Sequence, residues 1–167
     1  MAEGQIQHVS DTALWVAGCR ALETERPDSM FRDPLAAGLA GARGRQIANS
    51  MPNAKGMQWS VAIRTVVIDG FLRSAISSGV DTILNLGAGL DTRPYRMDIP
   101  PSLRWIEVDY ASLIEQKDDQ LRAETPVCQV ERIGLDLAER APVRICSTGS
   151  EHPRRTRWCS PREWSRI

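Results

Sequence analysis

Two glycines, followed by a carboxylate about twenty residues later, are the residues whose types and spacing first suggest chemistry. Gly87 and Gly89 stand in segment 85–93, NLGAGLDTR, and Asp109 ends segment 105–109, WIEVD. Glycine lets the chain turn sharply and lets a ligand lie against bare backbone. A carboxylate at the end of the next strand can accept hydrogen bonds from both ribose hydroxyls of an adenosine-containing ligand. The pattern therefore predicts a nucleoside site.

Other interpretations of these residues stay open. A lone Gly-x-Gly pair is commonly only a turn, and its weight here comes from the strand before it and the carboxylate after it. Glu107 is a second, less favoured candidate for the ribose contact. Asp109 could instead cap the following helix, and both roles are compatible.

The residue three positions after Gly89 separates two classes of ligand. A dinucleotide site usually has a third glycine there, so that a helix packs on the strand and the pyrophosphate sits at its start. This chain has Thr92, flanked by Asp91 and Arg93. Such a loop suits a nucleoside joined to an amino acid, as in S-adenosyl-L-methionine, better than it suits NAD. An NAD-linked oxidoreductase is the disfavoured alternative.

Three further residues fit the same ligand. Asp136 follows the third predicted strand, where it could accept from the adenine amino group while Leu137 packs on the ring. Arg64, on a helix before the first strand, could form a two-pronged pair with the methionyl carboxylate. A solvated helix face is the competing interpretation for Arg64, and for Asp136 alone the evidence is evenly divided.

Helices and strands in an α/β order must position these residues. Apolar spacing predicts a helix over 10–26, capped by Ser10 or Asp11, and another over about 58–77 with a stripe of Ile63, Val67, Phe71 and Ala75. Between them, a turn at 31–35 leads into a short helix through residue 40, and the glycine-bearing stretch 38–56 is expected to contain a loop.

After the second helix the period changes to that of strands. Strands are predicted at 82–86, 103–108 and about 127–135, with a helix at about 111–122 between the last two. The apolar run closed by Gly87 is typical of a buried parallel strand. This order indicates an open α/β sheet.

Composition excludes several classes of protein. Lys and Arg number 21, as do Asp and Glu, so no general attraction for nucleic acid or acidic membranes is indicated. The four cysteines form no Cys-x-x-Cys pair, so we expect free thiols and no metal site. The N-terminus resembles no secretory signal, and no apolar run approaches the ~20 residues of a membrane span. We predict a cytoplasmic protein that binds neither membrane nor nucleic acid.

Residues 11–137 resemble the leucine carboxyl methyltransferase family, in its bacterial S-adenosyl-L-methionine-dependent branch. The resemblance lies in these segments: TA at 12–13, RALE at 20–23, FRDPL at 31–35, RT at 64–65, ID at 68–69, LGAGLDTR at 86–93, EVD at 107–109 and DL at 136–137. It implies a Rossmann-like class I methyltransferase sheet with N-terminal helices. It also implies cofactor contacts at Arg64, Gly87, Asp109, Asp136 and Leu137.

The last part of the chain departs from the family pattern. Family members continue into a fourth strand with a Thr-Glu-Gly-type motif, and no such motif follows Arg144. We therefore predict a cofactor-binding part at 1–143, with a sheet incomplete on its C-terminal side, and an aberrant or disordered tail at 144–167. The Arg-, Trp- and Ser-rich tail resembles out-of-frame translation, so we expect a frameshifted or truncated gene product.

The predicted function is methyl transfer to oxygen, most simply to a carboxylate or another small-molecule acceptor. A sulfonium is already an activated leaving group, so alignment is the main requirement and no catalytic residue is predicted. We expect this chain by itself to be inactive, because the acceptor-holding groups of the family lie beyond the third strand. A non-catalytic cofactor-binding fragment is the leading alternative. Nucleic-acid binding through the arginine-rich tail is disfavoured, because the run lacks periodicity.

Overall fold

The computed structural model describes residues 8–138. The chain divides into two units, Met1–Leu137 and Ala138–Ile167, and every helix and strand described below lies in the first. The predicted tail at 144–167 lies outside the described residues, so its boundary stays a prediction.

Five helices and three strands make up the described part, and their α/β order is the predicted one apart from a short helix at 93–96 that the sequence did not predict. They are α1 Val9–Glu25, α2 Ala36–Ser50, α3 Ala54–Ser77, β1 Thr82–Leu86, α4 Arg93–Arg96, β2 Arg104–Asp109, α5 Ala111–Gln120 and β3 Gln129–Gly134. The strands form one parallel sheet in the order β1-β2-β3. The predicted α/β class, with helices before a parallel sheet, is confirmed.

The parallel register brings the three strand ends to one edge of the sheet. Leu86 of β1 lies opposite Val108 of β2, and Asp109 lies opposite Gly134 of β3. Central strand β2 is buried from Trp105 to Asp109. Since loops leave parallel strands at this edge, the glycine turn, Asp109 and the segment after β3 become neighbours.

Helix α2 occupies most of the stretch 38–56 that was expected to contain a loop, and the loop is limited to residues 51–53 between α2 and α3. The helix runs to Ser50 and is interrupted only by a kink at Gly41, where φ is 56°. Its glycines serve packing, because a Cβ on Gly44 would overlap the carbonyl oxygen of Leu14, and one on Gly18 would lie 2.5 Å from the carbonyl oxygen of Gly44. Sequence patterns equate glycine with loops, but here glycine lets α1 and α2 approach backbone to backbone.

The start of α1 also differs from the prediction. Its N-cap is His8, which makes no side-chain capping bond, and neither Ser10 nor Asp11 caps the helix. The Asp11 carboxylate instead accepts from Arg43 Nη2 at 3.0 Å and so joins α1 to α2. The tertiary ion pair has taken the place of the local cap.

Helix α3 buries a different face from its apolar stripe. Val61, Ala62, Thr65 and Asp69 are the buried residues, whereas Phe71 of the predicted stripe is 70% exposed. Asp69 is buried because its carboxylate accepts hydrogen bonds from Arg93 and Arg96. Ion pairs with the segment after the glycine turn therefore select the buried face.

Within residues 8–138, no helix combines the length and apolarity needed to cross a membrane. The same residues contain no group of three or more His, Cys, Asp or Glu side chains arranged to hold a metal ion. The two cysteines among the described residues, Cys19 and Cys128, are free thiols, and burial raises the pKa of Cys19 to about 11.

The α1–α2 contact makes a testable difference between two glycines of one helix. Gly44→Ala should lower the free energy of unfolding by about 1–3 kcal/mol, because the added methyl group overlaps backbone. Gly38→Ala is the matched control, since its Cβ would meet nothing within 4 Å. It should be neutral or stabilising by about 0.5–1 kcal/mol. Urea denaturation of both variants measures this, and equal effects would contradict the packing role.

Candidate functional site

A cavity of about 540 Å³ opens at the carboxyl edge of the sheet. Five of the six residues predicted to bind the cofactor line it: Arg64, Gly87, Gly89, Asp109 and Leu137. They come from α3, the glycine turn, the end of β2 and the segment after β3. The fold therefore assembles residues that are as far apart in sequence as 64 and 137.

Both glycines of the turn adopt backbone angles that favour glycine. Gly87 has φ of 66° and Gly89 has φ of 50°. The amides of Gly87 and Ala88 both donate to the carbonyl oxygen of Val108, at 2.8 and 3.2 Å, which ties the turn to β2. A Cβ on Gly87 would meet nothing within 4 Å, so the space beside it is open to a ligand.

Asp109 holds the same turn from the end of β2. Its Oδ2 accepts from the Gly89 amide at 2.6 Å, and its Oδ1 accepts from the Tyr110 amide at 2.8 Å. Tyr110 is the N-cap of α5 and that position makes no side-chain capping bond, so Asp109 is not a conventional helix cap. Each carboxylate oxygen keeps a further lone pair for a ligand hydroxyl.

Glu107, the alternative candidate for the ribose contact, is hydrogen-bonded to side chains of the protein. Its carboxylate is fully buried and accepts from Lys117 Nζ at 2.7 Å and Arg132 Nε at 2.8 Å. Burial lowers the pKa of Lys117 despite the attraction of Glu107. Glu107 therefore anchors α5 and β3 to β2, and of the two candidates for the ribose contact only Asp109 lines the cavity.

Arg64 and the segment after β3 lie at other walls of the cavity. Arg64 is exposed on α3, and the described residues give its guanidinium no hydrogen-bond or ion-pair partner. Leu135 and Leu137 line the cavity, whereas Asp136 between them is half-buried and does not. The adenine contact of Asp136 stays a prediction, and so does the carboxylate contact of Arg64.

Sequence analysis missed the contribution of α1 to the cavity. Thr12, Ala13, Val16 and Arg20 line its wall, and Tyr110 joins them from the start of α5. Segments TA at 12–13 and RALE at 20–23 belong to the family resemblance, and that was the available signal. Nothing local in α1 indicates which of its faces will meet a glycine turn about seventy residues later.

Charged residues after the turn form a buried cluster. Arg93 donates to Asp69 at 2.7 Å and to Asp91 at 2.5 Å, and the Asn85 amide also donates to Asp91. Burial alone would raise the pKa of Asp91, but Arg93, then Arg20 and Lys117, outweigh it and the pKa falls below its usual value. The cluster fixes the loop on which the turn depends.

A comparison with known protein families identifies the family to which this chain belongs. A family model described as leucine carboxyl methyltransferase matches residues 13–161. The chain belongs to the leucine carboxyl methyltransferase family. This confirms the resemblance inferred from its motifs. The matched range extends past residue 143, where the family pattern was predicted to stop.

The chain is also similar to curated bacterial proteins, each named "Putative S-adenosyl-L-methionine-dependent methyltransferase". One from Frankia alni is 39% identical over 158 residues, covering 88% of this chain and 55% of the relative. One from Streptomyces avermitilis is 38% identical, covering 88% and 56%. One from Mycobacteroides abscessus is 31% identical, covering 90% and 54%. The chain spans about half the length of the curated relatives it matches.

The lowered pKa of Asp91 predicts how stability depends on pH. A carboxyl whose folded-state pKa is depressed adds stability above its unfolded pKa of about 3.8. That contribution is lost as pH falls through the folded-state pKa. The stability advantage of the wild type over Asp91→Asn should therefore be largest near pH 6 and shrink below pH of about 3.8. Urea denaturation across this range measures it, and a gap independent of pH would contradict the ion-pair account.

Proposed function

We propose that this chain binds S-adenosyl-L-methionine at the cavity and provides the cofactor-binding part of an oxygen- or carboxyl-directed methyltransferase. The observation that carries the proposal is the position of Asp109, which fixes Gly89 and lines the cavity with its carboxylate. Family membership supports the same ligand, as do the names of the relatives.

The residues present fit this cofactor. A volume of about 540 Å³ lies within the range of small-molecule sites. The open space beside Gly87 leaves room for a ligand against the backbone. Asp109 offers acceptors suited to ribose hydroxyls, and Arg64 offers a planar cation suited to a carboxylate. A nucleoside joined to an amino acid has both groups.

Each wall has a separate task in this proposal. Asp109 would hold the ribose, Leu137 would pack on the adenine ring, and Arg64 would hold the amino-acid carboxylate. The cofactor supplies a methyl group on a sulfonium, which is an activated leaving group. The protein then has mainly to orient the acceptor, and the proposal requires no protein nucleophile. A carboxylate acceptor would need no general base.

Two observations argue against the NAD alternative. The segment after the glycine turn continues into α4, a single turn of four residues, so no long helix starts there to face a pyrophosphate. Thr92, in the position of the third glycine, is fully buried with its hydroxyl bonded to Asp33. Both features suit a ligand without a pyrophosphate.

The proposal also covers the methyl acceptor, the location and the partners of the protein. We propose a small-molecule or carboxylate acceptor, a cytoplasmic location, and no nucleic-acid or membrane partner; the balanced charge of the chain supports the last of these. Methyl transfer by the whole protein is proposed from its family.

Ligand binding tests the proposal directly. S-adenosyl-L-homocysteine should bind the purified chain in calorimetric titration, and NADH should not. Adenosine alone serves as a control that lacks the amino-acid part and should bind more weakly, since it cannot use Arg64. Tighter binding of NADH than of S-adenosyl-L-homocysteine would overturn the methyltransferase assignment of this site.

Asp109→Ala should weaken S-adenosyl-L-homocysteine binding by about 1.5–3 kcal/mol, the usual worth of hydrogen bonds to a charged group. The carboxylate would be lost both to the ligand and to the Gly89 amide. Asp119→Ala removes an exposed carboxylate on α5 that pairs with exposed Arg122, and it should leave the dissociation constant unchanged. An Asp109→Ala protein that folds and binds like the wild type would exclude Asp109 from the site.

A further inference from the structure

The four residues after the glycine turn, 90–93, are held by the helical segments that precede the sheet. Arg20 of α1 donates from Nη2 to the carbonyl oxygen of Leu90 at 2.6 Å. Asp33, between α1 and α2, accepts from the Thr92 hydroxyl at 2.6 Å. Asp33 and Thr92 are 59 positions apart in the sequence, and Arg20 and Leu90 are 70 positions apart. Both pairs meet at this short segment. We name the three side chains Arg20, Asp33 and Thr92 the loop clamp.

Asp33 is the centre of the loop clamp. Its Oδ2 accepts from Arg20 Nε at 2.8 Å as well as from Thr92. Its other oxygen, Oδ1, is buried and has no hydrogen-bond partner among the described residues. The hydrogen bonds that the described residues give this carboxylate therefore go to the loop and to the arginine that binds the loop.

The backbone of Asp33 is itself fixed against α1. Its amide donates to the Thr24 hydroxyl at 2.9 Å, and that hydroxyl donates to the carbonyl oxygen of Arg20 at 2.8 Å. The side chain of Arg20 is 7% exposed and that of Asp33 is fully buried. The loop clamp is therefore a buried network of charge-assisted hydrogen bonds. Arg20 belongs to α1, and Asp33 is attached to the same helix through Thr24.

The glycine turn needs such support from outside. Gly87 and Gly89 restrict the backbone less than other residues do, so many conformations of the turn compete. The hydrogen bonds to Val108 and Asp109 hold residues 87–89, but they do not reach Leu90 or Thr92. Asn85 and Asp69 hold Asp91 and Arg93 of the following segment, so the Leu90 carbonyl and the Thr92 hydroxyl are the groups that depend on the loop clamp. Without the clamp the ligand would have to order this part of the loop, and that cost would reduce affinity.

We propose that Asp33 is a positioning residue for the cofactor site: with Arg20, it fixes Leu90 and Thr92 so that the turn 87–89 is preformed. The effect on ligand binding rests on the proposed function, whereas the effect on the loop does not. Asp33 touches no ligand in this account and acts only through the loop. The FRDPL segment, which the proposed function leaves without a role, thereby gains one.

The test compares two Asp→Asn variants in the full chain. Asp33→Asn weakens the loop clamp. Asp11→Asn weakens a partly buried pair in which Arg43 Nε and Nη2 donate to the carboxylate at 3.2 and 3.0 Å. This pair joins α1 to α2, and neither of its residues lines the cavity. Both variants should lower the melting temperature. Hydrogen–deuterium exchange of a peptide covering 87–93 should speed up by about tenfold in Asp33→Asn alone.

Binding provides the second measurement. The dissociation constant for S-adenosyl-L-homocysteine should rise by about tenfold in Asp33→Asn and stay constant in Asp11→Asn, both measured well below their melting temperatures. If the wild type binds no S-adenosyl-L-homocysteine, the proposed function fails while the exchange experiment still decides the loop clamp. Equal exchange in Asp33→Asn and wild type, or equal effects of the two variants, would overturn the positioning role.

A second pair of variants decides the matter if Asp33→Asn does not fold. Thr92→Val keeps the shape of the side chain and removes the hydroxyl that binds Asp33. Thr92→Ser keeps the hydroxyl. Faster loop exchange in Thr92→Val with near wild-type exchange in Thr92→Ser supports the loop clamp, and identical exchange in the two variants would overturn it.

Discussion

The hydrogen bond from the Gly89 amide to the Asp109 carboxylate joins the turn after β1 to the end of β2, and the cavity is built around this junction. A parallel sheet brings strand ends together but leaves the loops between them free to choose a path. Asp109 restricts that path by accepting one hydrogen bond from a backbone amide of the turn and another from the backbone amide of Tyr110. The acceptor capacity that remains on its oxygens then faces the cavity.

Buried charges around this junction also connect separate elements of the fold. Asp33, Asp69, Asp91 and Glu107 are buried carboxylates, and each has at least one arginine or lysine within hydrogen-bond distance. Burying an unpaired charge is costly, so each acid requires a base that arrives from another element. These pairs connect α1, α3, α5 and β3 to the glycine loop and to β2. The helices before the sheet are therefore part of the site.

Close packing of α1 on α2 sets where the wall of the cavity lies. Gly18 and Gly44 let the two backbones approach, and this places the opposite side of α1, with Ala13 and Arg20, at the glycine turn. A Cβ on Gly89 would come within 3.5 Å of the Ala13 Cβ. Helix α1 therefore lies in van der Waals range of the turn and forms one wall of the cavity beside it.

The sequence by itself determined the order of elements other than α4, the three strands and the residues at their ends. Those features are local, because strand periodicity, the glycine turn and a carboxylate about twenty residues later all appear within short windows. It also gave the family, since the motif at 86–93 is specific. Only the tertiary structure decided that 38–50 is largely helical, that Asp69 and not Phe71 lies on the buried face of α3, and that Asp33 contacts Thr92. Each of these depends on a partner far away in the chain, and no window of sequence contains both members of the pair.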